Sequence, residues 1–279
     1  MVKNEVIVLA ALLLVSCSGG PQVQWRRVPM DGHRIQALPV NLDNIPEALG
    51  VFDDEGYVAP SGVRFADDSP VARSAQILME AQPKMAPLKM VVGHSEAMLE
   101  NLRTNPDLPL GNLFADALRA YGSRYFKGPM DFAITNFGGI RVPLPEGAVC
   151  MEDIQSMFPF QNYMVYVRMK GSGLLALFEQ LAATKAFQAT SGATIRVKAH
   201  QLESALIGGK PIDPDKVYNV TTIDFLLDGG DRINIGALAE SVVLSPVLLK
   251  EVMLDYVCGC EARGELIHGQ SDGRVIMED

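Results

Sequence analysis

The chain has 279 residues, of which 48% are hydrophobic and 20% are charged. This is the composition of a globular protein, and it excludes a wholly disordered chain, a coiled coil and a collagen. The formal net charge is −9 at pH 7. Because nucleic acid is a polyanion, this charge disfavours nucleic acid as a partner, although it is compatible with a locally basic pocket.

The N-terminus has the pattern of a secretory signal. Lys3 precedes the apolar run VIVLAALLLV at 6–15, which is about half the ~20 residues that a membrane span needs. The run ends in LVSC, which resembles the lipobox of bacterial lipoproteins. We therefore expect a signal peptide over 1–16, lipidation of Cys17, and a lipid anchor on the periplasmic side of the outer membrane. A plain signal peptide or a buried N-terminal strand is the alternative.

The next segments predict a leader and a linker. Prolines recur over 17–68 without a helical period, so we expect a tether followed by an irregular leader. Ser69 before Pro70 is typical of a helix start, with serine as the N-cap. We expect this helix to end before Pro83 and to form a linker segment over 69–87.

Strands and helices alternate from residue 88 to the C-terminus, which predicts an α/β (mixed α+β) domain over 88–279. Strands are predicted at 88–93, 132–136, 163–169, 194–198, 217–222 and 273–276. Helices are predicted at 111–121, 151–157, 172–183 and 245–258, the last from a Ser-Pro pair at its start.

Common catalytic motifs are missing from the sequence. The four histidines are far apart, and the sequence contains no H-E-x-x-H, no G-x-S-x-G and no P-loop. GSGLLA at 171–176 fits a dinucleotide fingerprint, but the acidic residue expected about 20 residues later is missing, which favours a tight turn. Cys258 and Cys260 are too close for an unstrained disulfide, so free thiols are expected.

Three other segments combine residue types that are typical of binding loops. They read TNFGGIR at 135–141, FPFQN at 158–162 and TIDFLLDGGD at 222–231. Glycine pairs let the backbone approach a ligand closely, and an arginine offers a fork of donors to phosphate. Each segment alone also fits core, turn or surface residues. Together they supply the aromatic faces, amides, guanidinium and carboxylate that would recognise a base with its sugar.

These segments, in this order, resemble the C-terminal domain of the 5′-nucleotidase family, which includes bacterial UDP-sugar hydrolases and 2′,3′-cyclic phosphodiesterases. The family pattern is G-N-L, N-x-G-G-I-R, P-F-x-N, G-x-x-L, G-x-P-(I/V)-D-P-x-K-x-Y and F-x-x-x-G-G-D. This chain matches it at 111–113, 136–141, 159–162, 171–174, 209–218 and 225–231. The resemblance implies a sandwich of mixed sheets and helices.

The resemblance also implies the role of several residues in substrate binding. Phe160 and Phe225 would stack on the two faces of the base, and Asp231 would hold the ribose hydroxyls. Asn136 and Arg141 would contact the base and the phosphate. The further expected substrate-binding residues are Gly138, Gly139, Asn162, Gly192, Gly229 and Gly230. The chain departs from the family at Gln161 and Arg232, where the family usually has glycine, which is expected to narrow the pocket or change the base preference.

Family enzymes also carry a dimetal phosphoesterase domain with D-x-H, G-N-H-E and G-H-x-H patterns. These three patterns do not occur together in the sequence. We therefore expect no catalytic residue, no metal ligand and no cofactor in this chain. Hydrolysis would then need a separate metallophosphoesterase partner that holds the divalent metals.

The leading interpretation is therefore the nucleotide- or nucleoside-binding part of a split 5′-nucleotidase, inactive alone. The alternatives are a non-catalytic periplasmic nucleotide-binding lipoprotein and a degenerate domain kept for structure.

Overall fold

A computed structural model describes residues 40–101, 106–184 and 187–278. The predicted signal peptide over 1–16, Cys17 and the first part of the leader lie outside these residues, so these predictions stay predictions. In the described part of the chain, no helix is both long and apolar enough to cross a membrane.

The predicted leader contains regular structure from Ile45 onward, contrary to the expectation of an irregular segment. A short helix is followed by a three-stranded antiparallel sheet: α1 Ile45–Leu49, β1 Val51–Asp53, β2 Gly56–Val58 and β3 Arg64–Phe65. Tyr57 of this sheet is buried against Ala72 and Ala75 of the next helix. This segment therefore has a small hydrophobic core of its own.

Helix α2, Pro70–Met85, begins where the sequence predicts. The Ser69 Oγ accepts a hydrogen bond from the backbone N–H of Ala72 at 3.1 Å. The prediction that the helix ends before Pro83 is wrong, because the helix continues through this proline to Met85. A proline removes one helical hydrogen bond, and on this largely exposed helix water can bond the carbonyl that is left free.

The remaining helices and strands alternate less regularly than expected, because six strands follow one another over 189–248 without an α-helix between them. In chain order they are β4 Val91–Ser95, α3 Pro109–Tyr125, β5 Phe132–Thr135, β6 Gly147–Cys150, α4 Met151–Met157, β7 Tyr163–Lys170, α5 Gly171–Ala183, β8 Ala189–Ser191, β9 Ala193–Lys198, β10 Gln201–Ile207, β11 Lys210–Pro211, β12 Val217–Ile223, β13 Ala239–Leu248, α6 Leu249–Arg263 and β14 Val275–Glu278. Five of these strands are not predicted from the sequence: β6, β8, β10, β11 and β13. Of these, β6 and β10 pair antiparallel with β4 and β9 respectively.

Two sheets and three helices form the main core. The five-stranded sheet has the order β13-β7-β12-β5-β8, with only β12 and β5 parallel, and the four-stranded sheet has the order β11-β10-β9-β14. Helix α5 contacts both sheets, α3 packs on β5 and β8, and α6 packs on β4 and α3. The predicted mixed α/β sandwich is therefore confirmed.

The predicted helix start at Ser245 is wrong, since this residue belongs to strand β13. The Ser245 hydroxyl donates to the carbonyl of Met164 in the neighbouring strand at 2.7 Å and does not cap a helix. The register with β7 shifts between Leu244 and Leu248. At this irregularity the missing N–H of Pro246 removes no regular ladder bond, and α6 begins only after the strand ends.

Candidate functional site

One cavity of about 300 Å³ brings together residues from all three predicted binding segments. Eight of the eleven predicted substrate-binding residues line it: Asn136, Gly138, Gly139, Arg141, Phe160, Asn162, Phe225 and Asp231. These residues are up to 95 positions apart in the chain, as the Asn136–Asp231 contact shows. We call this cavity the aromatic pocket.

The first wall of the aromatic pocket is the turn that follows β5. The strand ends at Thr135, and a single turn of 3-10 helix at Phe137–Gly139 directs the chain across the end of the sheet. The side-chain amide of Asn101 donates to the carbonyls of Phe137 and Ile140, at 2.9 and 2.6 Å. Asn101 therefore fixes the shape of this loop, a role that no motif in the sequence indicates.

Asn136 connects this first wall to the loop that carries Asp231. This side chain is only 4% exposed, and its Nδ2 donates to Oδ2 of Asp231 at 2.8 Å. Its own Oδ1 is buried and has no hydrogen-bond partner within the described ranges. The other carboxylate oxygen of Asp231 likewise makes no hydrogen bond to any described residue. The second oxygen of Asp231 is thus an acceptor for a ligand, whereas the Oδ1 of Asn136 is buried.

The second wall is Phe160, which is 50% exposed. The proline before it separates two phenylalanines with opposite roles. Phe158 is 3% exposed and packs on Phe114 in the core, with ring centroids 4.5 Å apart. The guanidinium of Arg141 lies over the Phe160 ring at 5.7 Å from its centroid, a distance at which a cation is attracted to the ring face.

The third wall is Phe225, which is 44% exposed. The position of the Phe225 ring requires glycine at position 230. A Cβ there would lie 2.0 Å from the Phe225 carbonyl oxygen and 2.6 Å from its ring. The chain then passes through Asp231 and Arg232 with φ of 50° and 64°. Non-glycine residues rarely adopt this left-handed region, because their Cβ crowds the backbone.

Three of the predicted residues lie outside the lining of the aromatic pocket. Gly229 and Gly230 instead shape the loop that carries Phe225 and Asp231. Gly192 lines a separate cavity together with Arg119 and other residues. The structure thus does not bring Gly192 to the pocket where the family resemblance places it.

The aromatic pocket suits a flat ring that carries polar groups. Two half-exposed phenylalanine rings line it, and no ring contact joins them within the described part of the chain. Aromatic faces bind planar bases by stacking, while a carboxylate accepts from hydroxyls and a guanidinium donates to phosphate.

Among residues 40–101, 106–184 and 187–278, no group of three or more His, Cys, Asp and Glu side chains could hold a metal ion. Asp31 and His33 have the spacing of a D-x-H pattern and lie outside these ranges.

A sequence model described as "5′-nucleotidase, C-terminal domain" matches residues 91–238. The chain belongs to this family. The matched range includes every residue of the aromatic pocket, so this pocket lies within the 5′-nucleotidase C-terminal domain.

Two curated relatives are longer than this chain. It is similar to Protein UshA of Yersinia enterocolitica, with 28% identity over 80% of this chain and 40% of that protein. It is also similar to a 5′-nucleotidase of Vibrio cholerae, with 25% identity over 82% of this chain and 41% of that protein. The chain thus spans about two fifths of the length of these curated relatives.

Solved structures share the fold of this 5′-nucleotidase C-terminal domain. The 5′-nucleotidase precursor of Thermus thermophilus superimposes with a TM-score of 0.63 and 21% identity, over 79% of this chain and 45% of that one. NAD nucleotidase of Haemophilus influenzae gives a TM-score of 0.54 and 19% identity, over 78% of this chain and 43% of that one.

Proposed function

We propose that the aromatic pocket binds a nucleoside or nucleotide. In this proposal the base stacks between Phe160 and Phe225, the ribose hydroxyls donate to Asp231, and the phosphate meets Arg141. The observation that carries the proposal is the convergence of three distant segments on one cavity with two half-exposed phenylalanine rings.

The polar groups of the pocket support a sugar next to the base. Asp231 has one carboxylate oxygen held by Asn136 at 2.8 Å, which fixes its orientation. Its second oxygen makes no hydrogen bond to any described residue and offers an acceptor to the sugar. Arg141 uses one donor on the carbonyl of Gly138 at 3.3 Å, which leaves guanidinium N–H groups for a phosphate.

We further propose that this domain serves phosphoester hydrolysis together with a metallophosphoesterase on a separate polypeptide. Relatives named 5′-nucleotidase, or UshA, align with this chain over about two fifths of their own length. In this proposal the chain selects the substrate, and the partner supplies the divalent metals that activate water.

Binding by this chain is tested by calorimetric titration of the purified protein with AMP, adenosine and UMP. Saturable binding of AMP is expected. Absence of heat with all three ligands would contradict the binding proposal and favour a degenerate structural domain.

The partner proposal is tested by phosphate release from AMP with manganese present. The chain alone is expected to release none, and addition of the partner phosphoesterase is expected to start turnover. Metal-dependent turnover by the chain alone would contradict the separate partner.

We also propose that the mature protein is lipid-anchored through Cys17 on the periplasmic side of the outer membrane. The support is the LVSC sequence after the apolar run. The wild type is expected in the detergent phase after detergent phase separation of expressing cells, and a Cys17→Ala variant in the aqueous phase. Cys258→Ala, at an exposed free thiol, is the matched control and should behave as wild type. Equal partitioning of all three proteins would contradict the anchor.

A further inference from the structure

A second cavity, of about 520 Å³, lies at the opposite end of β5 from the aromatic pocket. Gly192 on its wall packs against the residue before β5, since a Cβ there would lie 2.2 Å from the carbonyl oxygen of Asp131. The aromatic pocket begins at Asn136, just after β5 ends. At ~3.3 Å per residue, a strand of this length separates the two cavities by about 13 Å. We call the second cavity the arginine cleft.

Three arginines and two aspartates line the arginine cleft, and one arginine is fully used within the fold. The Arg274 side chain is 12% exposed. Its two terminal nitrogens bind the two oxygens of Asp116, each at 2.9 Å. It also donates to Asp272 at 2.7 Å and to the carbonyl of Thr190 at 2.8 Å. Arg274 therefore pairs with both carboxylates of the cleft.

The other two arginines, Arg119 and Arg196, are anchored but not saturated. Arg119 Nε donates to the Ser191 hydroxyl at 2.8 Å, and Arg196 Nη1 donates to the Gly273 carbonyl at 2.8 Å. Within the described ranges, Nη2 of each guanidinium has no hydrogen-bond partner. Both guanidinium groups thus line the cleft with unused N–H donors. Because hydrogen bonds already fix the two side chains, less conformational entropy is lost when a ligand binds.

The electrostatic balance of the cleft favours an anion. The cleft is lined by three guanidinium groups and two carboxylates, so its lining has one net positive charge. The net charge of the whole chain is −9. Guanidinium groups form strong charge-assisted hydrogen bonds with phosphate. The volume lies within the ~300–1,000 Å³ range of small-molecule pockets.

We propose that the arginine cleft binds the phosphate group of a small hydroxylated phosphate ester. Arg119 and Arg196 donate to the phosphate oxygens. Two guanidinium groups match a ligand phosphate with three terminal oxygens better than a ligand with a single carboxylate. The exposed parts of Asp116 and Asp272, with side chains 48% and 35% exposed, accept from hydroxyls of the ligand. This site is independent of the aromatic pocket and of its proposed function.

The test follows backbone amide signals of the full chain by NMR while ribose 5-phosphate is added. The amides of Gly192, Gly208 and Gly273 are expected to shift and saturate, with a Kd of about 1 mM, as a few charge-assisted hydrogen bonds would give. Ribose without phosphate is expected to leave them unchanged. Equal shifts with ribose, or shifts confined to Gly138 and Gly139 of the aromatic pocket, would overturn the proposal.

Substitutions then identify the donors. Arg119→Gln combined with Arg196→Gln is expected to weaken binding at least tenfold. Arg168→Gln, an exposed arginine outside both cavities, should bind as wild type. Unchanged affinity in the double variant would overturn the proposal, whatever the aromatic pocket binds.

A second variant covers the case in which the double variant does not fold. Gly208 has φ of 57° and open space where a Cβ would stand, and aspartate tolerates this backbone region. Gly208→Asp adds a negative charge to the cleft and is expected to abolish the shifts at Gly192 and Gly273. Persistence of these shifts in folded Gly208→Asp protein would count against the proposal.

Discussion

Replacing both phenylalanines of the aromatic pocket is expected to remove most of the affinity for AMP. A phenylalanine side chain offers about 200 Å², and Phe160 and Phe225 are 50% and 44% exposed. A base that stacks on one face covers about half of the exposed part of each ring, or ~50 Å². At ~25 cal/mol per Å² this contributes about 1.2 kcal/mol per ring, at the lower end of the ~1–3 kcal/mol measured for base stacking.

Each single alanine variant should therefore weaken binding by about 5- to 30-fold, and Phe160→Ala with Phe225→Ala together by about 30- to 1,000-fold. Calorimetric titration with AMP measures the affinity, and thermal unfolding reports the fold. Because both rings are half exposed, the free energy of unfolding should change by about 1 kcal/mol or less.

Two further phenylalanines serve as controls for this experiment. Phe52→Ala removes a ring that is 39% exposed on the small N-terminal sheet, outside the aromatic pocket, and should leave AMP affinity unchanged. Phe158→Ala removes a core ring beside the pocket loop and should lower stability by about 3–5 kcal/mol. An unchanged AMP affinity in the folded double variant would refute the stacking argument.

Three other substitutions test the loops and the arginine cleft. Gly230→Ala should weaken AMP binding about tenfold or more, because its Cβ would displace Phe225; titration of the folded protein measures this. Arg232→Gly should stabilise the fold by up to about 1 kcal/mol in denaturant unfolding, because glycine adopts the left-handed backbone at φ 64° without strain. Arg274→Gln should make stability less dependent on acid pH. A hydrogen bond from Arg274 lowers the pKa of Asp272 below its ordinary value, so this carboxylate contributes stability above about pH 4 that is lost as the pH falls through its folded pKa.

Each of these three predictions has a contrary outcome. Wild-type affinity in Gly230→Ala would show that the position of the Phe225 ring does not control binding. A lower midpoint of unfolding in Arg232→Gly would show that the arginine side chain contributes more than its backbone strain costs. The same loss of stability between about pH 5 and pH 2 in wild type and Arg274→Gln would remove Asp272 as a source of the acid sensitivity.

Most elements of the fold could be predicted because their signals are local. Ser69 before Pro70 starts a helix through a hydrogen bond to a residue three positions away, and such contacts are encoded in short sequence patterns. The same pattern at Ser245 and Pro246 predicts a helix start, but both residues lie in strand β13. There the serine hydroxyl bonds a carbonyl 81 positions away, and this tertiary contact is not visible in the local sequence.

The site residues that belong to motifs could be predicted from the sequence. The single residues that support the site from elsewhere in the chain could not. Phe160 and Phe225 follow from the resemblance, whereas residue type alone does not distinguish Phe160 from the core Phe158 two positions earlier. Asn101 holds the loop at Phe137 from 36 positions away and belongs to no motif. Its contribution depends on tertiary geometry alone.

The crystal structure of the purified chain with saturating AMP tests the central claim most directly. The account predicts the adenine ring between Phe160 and Phe225, with ribose hydroxyl oxygens within about 3 Å of the Asp231 carboxylate and the phosphate toward Arg141. An empty aromatic pocket at saturating AMP, or AMP bound with its base away from both phenylalanines, would contradict it.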